Sequence, residues 1–165
     1  PSGVEFVPVV SAQDMFAAVQ QRFSAADVVI KSAAVADYRP KHAAAQKIKK
    51  SDGDMVLELE RNPDILAWLG AHKEKQILVG FAAETNDIQQ NAMRKLKQKQ
   101  VDFIAANDLT EQHSGFGKDT NRIVLYSADG SVTPLPVLSK DQVADKILDQ
   151  VLQVYQMRNG ETERK

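Results

Sequence analysis

Residues 27–38 read DVVIKSAAVADY, and this stretch decides the fold that the sequence predicts. Its β-branched start is typical of a strand that is buried on both faces of a parallel sheet. Small side chains follow at the end of this strand, where they let a ligand approach the backbone. In open α/β sheets, ligands bind in the crevice beyond the carboxyl ends of the strands. The stretch therefore predicts a central strand with a binding site at its end.

The composition restricts the class of protein. The chain has 165 residues, of which 43% are hydrophobic and 26% charged, as expected for one globular domain with a substantial core. The formal net charge of −1 gives no overall field toward nucleic acid or an anionic membrane. The absence of cysteine excludes disulfide frameworks and thiolate metal sites. The sequence shows no signal peptide and no apolar run of roughly 18–20 residues, so we predict a cytoplasmic protein without nucleic-acid or membrane partners.

The first part of the chain predicts a strand–helix–strand unit. Residues 4–10 have the composition of a short strand, and Pro8 places this strand at an edge or end. Ser11 is a suitable N-cap for the helix that follows, and residues 27–33 form the second strand. Such units almost always cross over right-handedly within a parallel sheet, so they favour a Rossmann-like α/β domain.

Residues 39–60 interrupt this alternation of strands and helices. Their first half is small and basic and has no steady period. The segments 47–50 and 55–60 flank an Asp-Gly dipeptide at Gly53, which is a strong hairpin signal. We therefore predict an inserted β-hairpin that projects from the domain as an arm or flap.

The rest of the chain continues the α/β order. Asn62 and Pro63 are predicted to begin one helix, and Asp87 to cap the next. Strands are predicted at 76–83 and 101–106, and a hairpin is predicted to join 122–126 to 131–135. A final helix is predicted to be capped by Ser139, with a core stripe of Val143, Ile147, Val151 and Val154. The polar tail at 158–165 is predicted to be frayed. The prediction is a single domain over residues 1–165, with a mostly parallel sheet flanked by helices.

The predicted strand ends carry residues that suit an anionic ligand. The strand ends at 32–33, 81–83 and 105–108 converge at one edge of the sheet, and lysines and a helix N-terminus can reach that edge. Each piece also has an ordinary structural explanation, because alanine-rich strand ends pack tightly and lysines usually cover solvated helix faces. The glycine fingerprints of dinucleotide and P-loop sites are missing, and the 3 histidines have no metal-ligand spacing. The residues alone therefore indicate an anionic-ligand site.

Five motifs in a fixed order carry a resemblance to a known family. They are AAVADY (33–38), KIKK (47–50), NPDI (62–65), GFAAET (80–85) and AAND (105–108). Together they resemble phosphopantothenate–cysteine ligase (phosphopantothenoylcysteine synthetase). In bacteria this is usually the C-terminal domain of a bifunctional coenzyme A biosynthesis protein, fused to a phosphopantothenoylcysteine decarboxylase domain. The resemblance runs from the first strand to the last helix.

The resemblance implies a two-step reaction that uses CTP together with Mg²⁺. The carboxylate of 4′-phosphopantothenate attacks the α-phosphate of CTP, which gives an acyl-cytidylate and pyrophosphate. The amino group of L-cysteine then attacks the acyl carbon and releases CMP. The family acts as a homodimer in which the arm helps to cover the partner's site. No flavin is expected in this chain, because the flavin site belongs to the decarboxylase domain.

The resemblance also assigns residues. Lys47 corresponds to an essential lysine of the flap and is the expected catalytic residue. The expected nucleotide-binding residues are Lys31, Ser32, Ala33, Asp37, Lys47, Pro63, Asp64, Ile65, Leu66, Phe81, Lys95 and Lys99. The magnesium ligands are not assigned.

This sequence departs from the family pattern at its start. Family members carry an earlier strand–helix unit, with a glycine- and serine-rich loop and an asparagine that assists the conversion of the acyl-cytidylate. That unit is absent before Pro1, so the expectation is an N-terminally incomplete domain whose own activity is in question. The alternative function is a non-catalytic, nucleotide-binding Rossmann-like module. A nicotinamide- or flavin-dependent reductase is disfavoured by the missing dinucleotide glycines.

Overall fold

The computed structural model describes residues 2–42, 44, 46–49, 53–84, 86–108 and 119–160. The chain forms two compact units, a smaller one of residues 1–24 and 34–65 and a larger one of residues 25–33 and 66–165. In chain order the elements are α1 (Ala12–Phe23), β1 (Val28–Lys31), β2 (Tyr38–Pro40), β3 (Leu59–Arg61), α2 (Ile65–Ala71), β4 (Ile77–Glu84), α3 (Ile88–Lys99), β5 (Phe103–Asp108), β6 (Thr120–Asn121), β7 (Ile123–Ser127), β8 (Val132–Pro134), β9 (Leu138–Ser139) and α4 (Lys140–Gly160). The organisation of residues 1–165 as one domain stays a prediction.

The larger unit is built on a mixed sheet. Within the described residues its strand order is β1-β4-β5-β7-β8, in which β1, β4 and β5 are parallel and β7 and β8 run antiparallel to their neighbours. Lys31 pairs with Gly80, and β4 and β5 continue beyond this row to the pair Glu84 and Asp108. The parallel central strands with flanking helices confirm the predicted α/β class.

Helix α4 packs on one face of this sheet. Its stripe of Val143, Ile147 and Val151 is buried in a core with Val79 and Phe103, which confirms the spacing predicted for this helix. The helix begins with a reciprocal cap, because the backbone N–H of Gln142 donates to Ser139 Oγ while the backbone N–H of Ser139 donates to Gln142 Oε1. The predicted cap at Ser139 is therefore confirmed.

The opposite face of the sheet is covered by α2. A Cβ built on Gly80 would lie 2.5 Å from Leu66 Cδ2, so the absence of a side chain at Gly80 lets α2 approach the strand. The same helix meets the end of α3, because a Cβ on Gly70 would lie only 1.7 Å from the Lys99 carbonyl oxygen. Two glycines thus fix how closely this helix packs.

Gly70→Ala should therefore destabilise the fold. The added methyl group meets backbone rather than a flexible side chain, so α2 or α3 must move, at a cost of about 1–3 kcal/mol. Urea unfolding measures this as a lower midpoint. Gly160→Ala is the matched control, since a Cβ there meets nothing within 4 Å. Equal midpoints for the two variants would show that the contact at Gly70 is not tight.

The smaller unit contains α1 and a two-stranded ribbon. Ser11 Oγ accepts from the Asp14 backbone N–H, and Asp14 accepts in return from the Ser11 hydroxyl and backbone N–H. These bonds hold the pKa of Asp14 below its usual value, the side-chain bond to Ser11 contributing most. The predicted cap at Ser11 is confirmed. The ribbon pairs β2 with β3 in antiparallel register, and Arg39–Glu60 and Lys41–Glu58 ion pairs cross it.

Two predictions about the first strands are wrong. Residues 4–10, all of which the structure describes, form no strand, and Val4, Phe6 and Val10 are exposed there. A strand needs a hydrogen-bonding neighbour, and none of the described residues pairs with this segment. Strand β1 is not buried on both faces either. It lies at an edge of the described sheet, with Ile30 40% exposed.

The predicted hairpin, in which residues 47–50 pair with residues 55–60, is also wrong. Residues 47–49 and 53–58 form no strand, and β3 pairs instead with β2, further back along the chain. The Asp-Gly turn proposed at Gly53 falls partly outside the described residues. The cross-strand ion pairs favour the pairing of β2 with β3 over the local one. The role of residues 39–60 as an arm or flap stays a prediction.

Smaller corrections concern the helix ends. Helix α2 begins at Ile65 rather than at Pro63, because the side chain of Asn62 donates to Ala36 and accepts from Arg39 instead of capping. Asp87 occupies the N-cap position of α3 without a side-chain capping bond. Helix α4 continues to Gly160, so residues 158–160 are helical, and the rest of the tail predicted to be frayed, residues 161–165, lies outside the described residues.

The predicted hairpin of β7 and β8 is confirmed. Ser127 donates its backbone N–H to Ser131, and Gly130 adopts a φ of +92°, a conformation that favours glycine. The side chain of Asp129 accepts from the Ser131 backbone N–H, which lowers the pKa of this carboxyl group.

Candidate functional site

The carboxyl edge of the larger unit's sheet carries part of the predicted site. Strand β1 ends at Lys31, whose ammonium group donates to the Ala33 carbonyl oxygen at 3.0 Å. Ser32 and Ala33 follow as exposed small residues. This bond folds the lysine back along its own chain, so its positive charge lies at the end of the strand. Cations at this edge suit a phosphorylated ligand.

Strand β4 contributes a flat aromatic surface and small residues. Phe81 is half-buried and packs against the core beneath α4. Ala82 is buried, whereas Ala83 is exposed at the end of the strand. The aromatic ring is thus held by the core, and the next two residues of the strand, Ala82 and Ala83, carry only methyl groups. Such a surface leaves room for a ligand to approach the backbone.

Helix α3 supplies two further predicted cations. Lys95 and Lys99 are half-buried and lie one helical turn apart, which places them on the same side of the helix. The backbone carbonyl of Lys99 is the group that approaches Gly70. The end of α3 is therefore fixed by packing, which limits where the Lys99 side chain can extend.

The smaller unit brings Asp37 next to the segment that leads into α2. Asn62 donates its backbone N–H to the Asp37 carbonyl oxygen at 2.8 Å and its side-chain amide to the Ala36 carbonyl oxygen at 2.8 Å. Pro63 and Asp64 follow directly. Sequence reasoning treated Asn62 as a helix cap, whereas the structure shows that it joins two parts of the predicted site.

Some predicted residues have roles different from the expected ones. Ile65 is 2% exposed, so its side chain is a packing group and only its backbone can face a ligand. The Leu66 side chain likewise packs over Gly80. Lys47 is exposed in the smaller unit. The predicted residues are thus divided between the smaller unit (Asp37, Lys47, Pro63, Asp64 and Ile65) and the larger unit (Lys31, Ser32, Ala33, Leu66, Phe81, Lys95 and Lys99).

Asn107, which the sequence places at this edge within the motif AAND, has surroundings that the sequence did not predict. Asn107 is only 8% exposed, and its side-chain oxygen Oδ1 has no hydrogen-bond partner among the described residues. The signal available in the sequence was a single polar residue directly after the apolar run FIAA at 103–106. Since buried polar groups are normally paired, this atom marks the edge as a place where a partner is missing.

Two kinds of feature are absent from the described part of the chain. It contains no group of three or more His, Cys, Asp or Glu residues that could hold a metal ion. None of its helices combines the length and the apolar character that crossing a membrane requires.

Comparison with known proteins identifies relatives over nearly the whole chain. The coenzyme A biosynthesis bifunctional protein CoaBC of Bacillus subtilis (strain 168) is 50% identical over 152 residues, which are 92% of this chain and 37% of that protein. The crystal structure of the C-terminal domain of a CoaBC protein is 43% identical with a TM-score of 0.78, covering 94% of this chain and 68% of that one.

A more distant structure shares the fold alone. It is a Cab2 mutant in complex with phosphopantothenate-cysteine, 14% identical with a TM-score of 0.64 over 92% of this chain and 54% of that one. The chain thus spans less than half the length of its curated CoaBC relative from Bacillus subtilis. The predicted resemblance to the C-terminal domain of the bifunctional coenzyme A biosynthesis protein is confirmed. Residues 1–155 match the profile of the DNA/pantothenate metabolism flavoprotein C-terminal domain, and the chain belongs to this family.

Proposed function

We propose that this chain is a CTP-dependent ligase domain that joins 4′-phosphopantothenate to L-cysteine in coenzyme A biosynthesis. The observation that carries the proposal is the match of 92% of the chain, at 50% identity, to a protein named for coenzyme A biosynthesis. The geometry supports it, because the carboxyl edge of the sheet combines small strand ends with the ammonium group of Lys31. The proposed place of action is the cytoplasm, in a homodimer and in a protein that also carries a decarboxylase domain.

The proposed reaction forms an amide in two steps. A carboxylate oxygen of 4′-phosphopantothenate forms a bond to the α-phosphorus of CTP, and the bond to the leaving pyrophosphate breaks. The cysteine amine then forms a bond to the acyl carbon, loses a proton and displaces CMP. In the first step negative charge accumulates on the phosphate oxygens, which is where fixed cations lower the barrier most.

The lysines have separate proposed tasks. Lys95 and Lys99 bind the phosphates of CTP in the ground state, since they are held on one side of α3. Lys47 stabilises the charge that develops at the α-phosphate, since it lies in the exposed segment that the family resemblance identifies as a flap. Asp37 accepts hydrogen bonds from the ribose or the base, and the Phe81 ring supports the nucleotide.

Magnesium is proposed to arrive with the triphosphate. The described residues offer no cluster of carboxylates or histidines for it, and Mg²⁺ at nucleotide sites is commonly held by substrate phosphates and water with few protein ligands. None of the steps above depends on a metal held by the protein. We also propose that this chain binds no FMN.

Lys95→Ala combined with Lys99→Ala should weaken CTP binding and flatten its dependence on salt. Two fewer cations attract the triphosphate less, and the remaining attraction is less sensitive to screening. Calorimetric titration at two ionic strengths measures both effects. Lys97→Ala is the matched control, since Lys97 lies between the two residues in sequence but is exposed on another side of α3. Unchanged affinity in the double variant would place the phosphates elsewhere.

The function is tested by pyrophosphate release. The chain is mixed with CTP and 4′-phosphopantothenate, and we expect pyrophosphate only when both are present, with CMP appearing after L-cysteine is added. ATP, NADPH and FMN serve as comparison ligands in parallel binding measurements. Binding of CTP without any pyrophosphate would instead support a non-catalytic nucleotide-binding module, and preferred binding of NADPH or FMN would support a reductase.

A further inference from the structure

Arg39 connects the ribbon of β2 and β3 to the segment that leads into α2. Its nitrogen Nη1 donates to the Arg61 carbonyl oxygen and to Asn62 Oδ1, each at 2.9 Å, and its Nη2 forms an ion pair with Glu60 at 2.8 Å. The Arg39 side chain is only 25% exposed, so water competes little for these contacts. One side chain thus links three consecutive residues at the end of the ribbon.

The two partners of the Asn62 side chain fix the direction in which its amide points. Arg39 can only donate, which requires the oxygen Oδ1 on its side. The Ala36 carbonyl oxygen can only accept, which requires the nitrogen Nδ2 on the other side, and this bond is 2.8 Å long. Arg39 therefore holds the amide in the orientation that binds Ala36, the residue directly before Asp37.

The backbone of Asn62 holds Asp37 as well. Its N–H donates to the Asp37 carbonyl oxygen at 2.8 Å, one row beyond the pair of Tyr38 and Arg61 at which the ribbon ends. Asp37 is exposed, so its carboxylate is placed by the backbone rather than by packing around the side chain. The two bonds from Asn62 to residues 36 and 37 thus determine where this carboxylate lies within the smaller unit.

We propose that Arg39 is a positioning residue for the nucleotide and acts through Asn62 on Asp37. This deepens the proposed function and rests on it, because Asp37 is the residue proposed to accept hydrogen bonds from the ribose or the base of CTP. Without the guanidinium group, the Asn62 amide is free to rotate away from Ala36. Residues 36 and 37 then lose one of the two bonds that Asn62 makes to them. Arg39 itself does not touch the nucleotide in this proposal.

Arg39→Met tests the inference, because it keeps much of the side chain's length and removes every donor. CTP affinity, measured by calorimetric titration, should fall about three- to tenfold, the size of one weakened hydrogen bond. Asp37→Ala should lower the same affinity about tenfold or more, because it removes the carboxylate itself.

The double variant gives the readout that a merely structural role of Arg39 would not produce. If Arg39 acts through Asp37, Arg39→Met has nothing left to misplace once the carboxylate is gone. In the Asp37→Ala background it should therefore lower CTP affinity by no more than about twofold. If Arg39 supported the fold in general, its effect on affinity would add in full to that of Asp37→Ala.

Glu60→Gln is the matched control. It removes the charge that pairs with Arg39 Nη2 and leaves both bonds from Nη1 in place. The pair is partly exposed, so its loss should change stability little, and CTP affinity should stay that of the unchanged chain. Lys41→Gln is a second control, since the Lys41–Glu58 ion pair crosses the ribbon two residues further from Asn62. It too should leave the affinity unchanged.

A second variant covers the case in which Arg39→Met does not fold. Asn62→Asp keeps the acceptor for Arg39 and removes the Nδ2 donor to Ala36. We expect the same fall in CTP affinity, and the same small further effect in the Asp37→Ala background.

The outcomes separate the inference from the proposed function. If Asp37→Ala lowers CTP affinity but Arg39→Met does not, or if the two effects add in full, only the inference fails. An equal fall in Glu60→Gln would attribute the effect to the ion pair and would also overturn the inference alone. If the expected pattern of binding is found but no pyrophosphate forms from CTP and 4′-phosphopantothenate, the proposed ligase fails while the role of Arg39 stands. An unchanged chain that does not bind CTP contradicts both.

Discussion

Lys47→Gln should reduce pyrophosphate release about 100–1000-fold, the usual cost of losing one electrostatic contact to a transition state. CTP affinity should change little by comparison. Lys47 is exposed in the smaller unit, in the segment between β2 and β3. An exposed ammonium group contributes little to ground-state binding in water, where its charge is screened. Its contribution is concentrated in the step in which negative charge accumulates on the α-phosphate.

The measurement compares turnover with affinity. Pyrophosphate release is followed at saturating CTP and 4′-phosphopantothenate, in a preparation that is active with both, and CTP binding is measured by titration. A lower turnover at nearly constant affinity identifies an interaction made in the transition state only. A parallel fall of affinity would instead make Lys47 an ordinary phosphate ligand, comparable to Lys95 and Lys99.

Lys49→Gln is the control for this prediction. Lys49 lies two residues away, carries the same charge and is also exposed. If only the net charge of the segment mattered, both variants would lose activity equally. We expect Lys49→Gln to retain most of its turnover. Normal turnover of Lys47→Gln, or equal loss in the Lys49 variant, would contradict the assignment of Lys47 as the catalytic lysine.

Elements that are determined by residues close to one another in the sequence were predictable. The apolar run at 76–83 became β4, and the spacing of Val143, Ile147 and Val151 predicted the buried side of α4. The caps at Ser11 and Ser139 formed as predicted, because both depend on residues only three positions apart. Local chemistry decides such features, so one stretch of sequence is sufficient to infer them.

Features that depend on distant partners were not predictable in this way. Residues 4–10 have strand composition, but a strand also needs a neighbour, and none of the described residues supplies it. The ribbon of β2 and β3 joins residues about twenty positions apart through the Arg39–Glu60 and Lys41–Glu58 pairs. The Asp-Gly signal at Gly53 favoured a local hairpin, and the sequence contained no means of weighing the two pairings.

In the candidate site, too, local motifs were predictable from the sequence, whereas features that depend on the folded surroundings were not. The motifs that contain Ala33, Asp37 and Phe81 identified the family, and the comparison with known proteins confirms it. The sequence placed Asn107 at this edge, but the letters AAND do not reveal that Oδ1 is buried without a partner among the described residues. Nor did the sequence indicate that Asn62 joins the segment of Asp37 to that of Pro63.

Asp102→Ala should destabilise the larger unit by about 3–5 kcal/mol, because it removes one partner of a buried ionic cluster. The Asp102 side chain is only 6% exposed, and it accepts hydrogen bonds from Lys73 Nζ at 3.1 Å and from the Leu78 backbone N–H at 2.8 Å. Arg158, near the end of α4, donates to the other carboxylate oxygen at 2.5 Å. This contact ties the last part of α4 to the residue just before β5.

The expected loss follows from what Asp102→Ala leaves behind. The Leu78 N–H stays buried without its acceptor, and Lys73, 22% exposed, loses its counter-ion. Arg158→Ala should cost less, because its side chain is 45% exposed and Lys73 still neutralises the carboxylate. Asp149→Ala is the control, since Asp149 is 60% exposed and pairs with Lys146 at 3.6 Å on the surface of α4. Its free energy of unfolding should change by less than ~0.5 kcal/mol. Urea unfolding compares the three variants, and equal midpoints for Asp102→Ala and Asp149→Ala would contradict a stabilising role for the buried cluster.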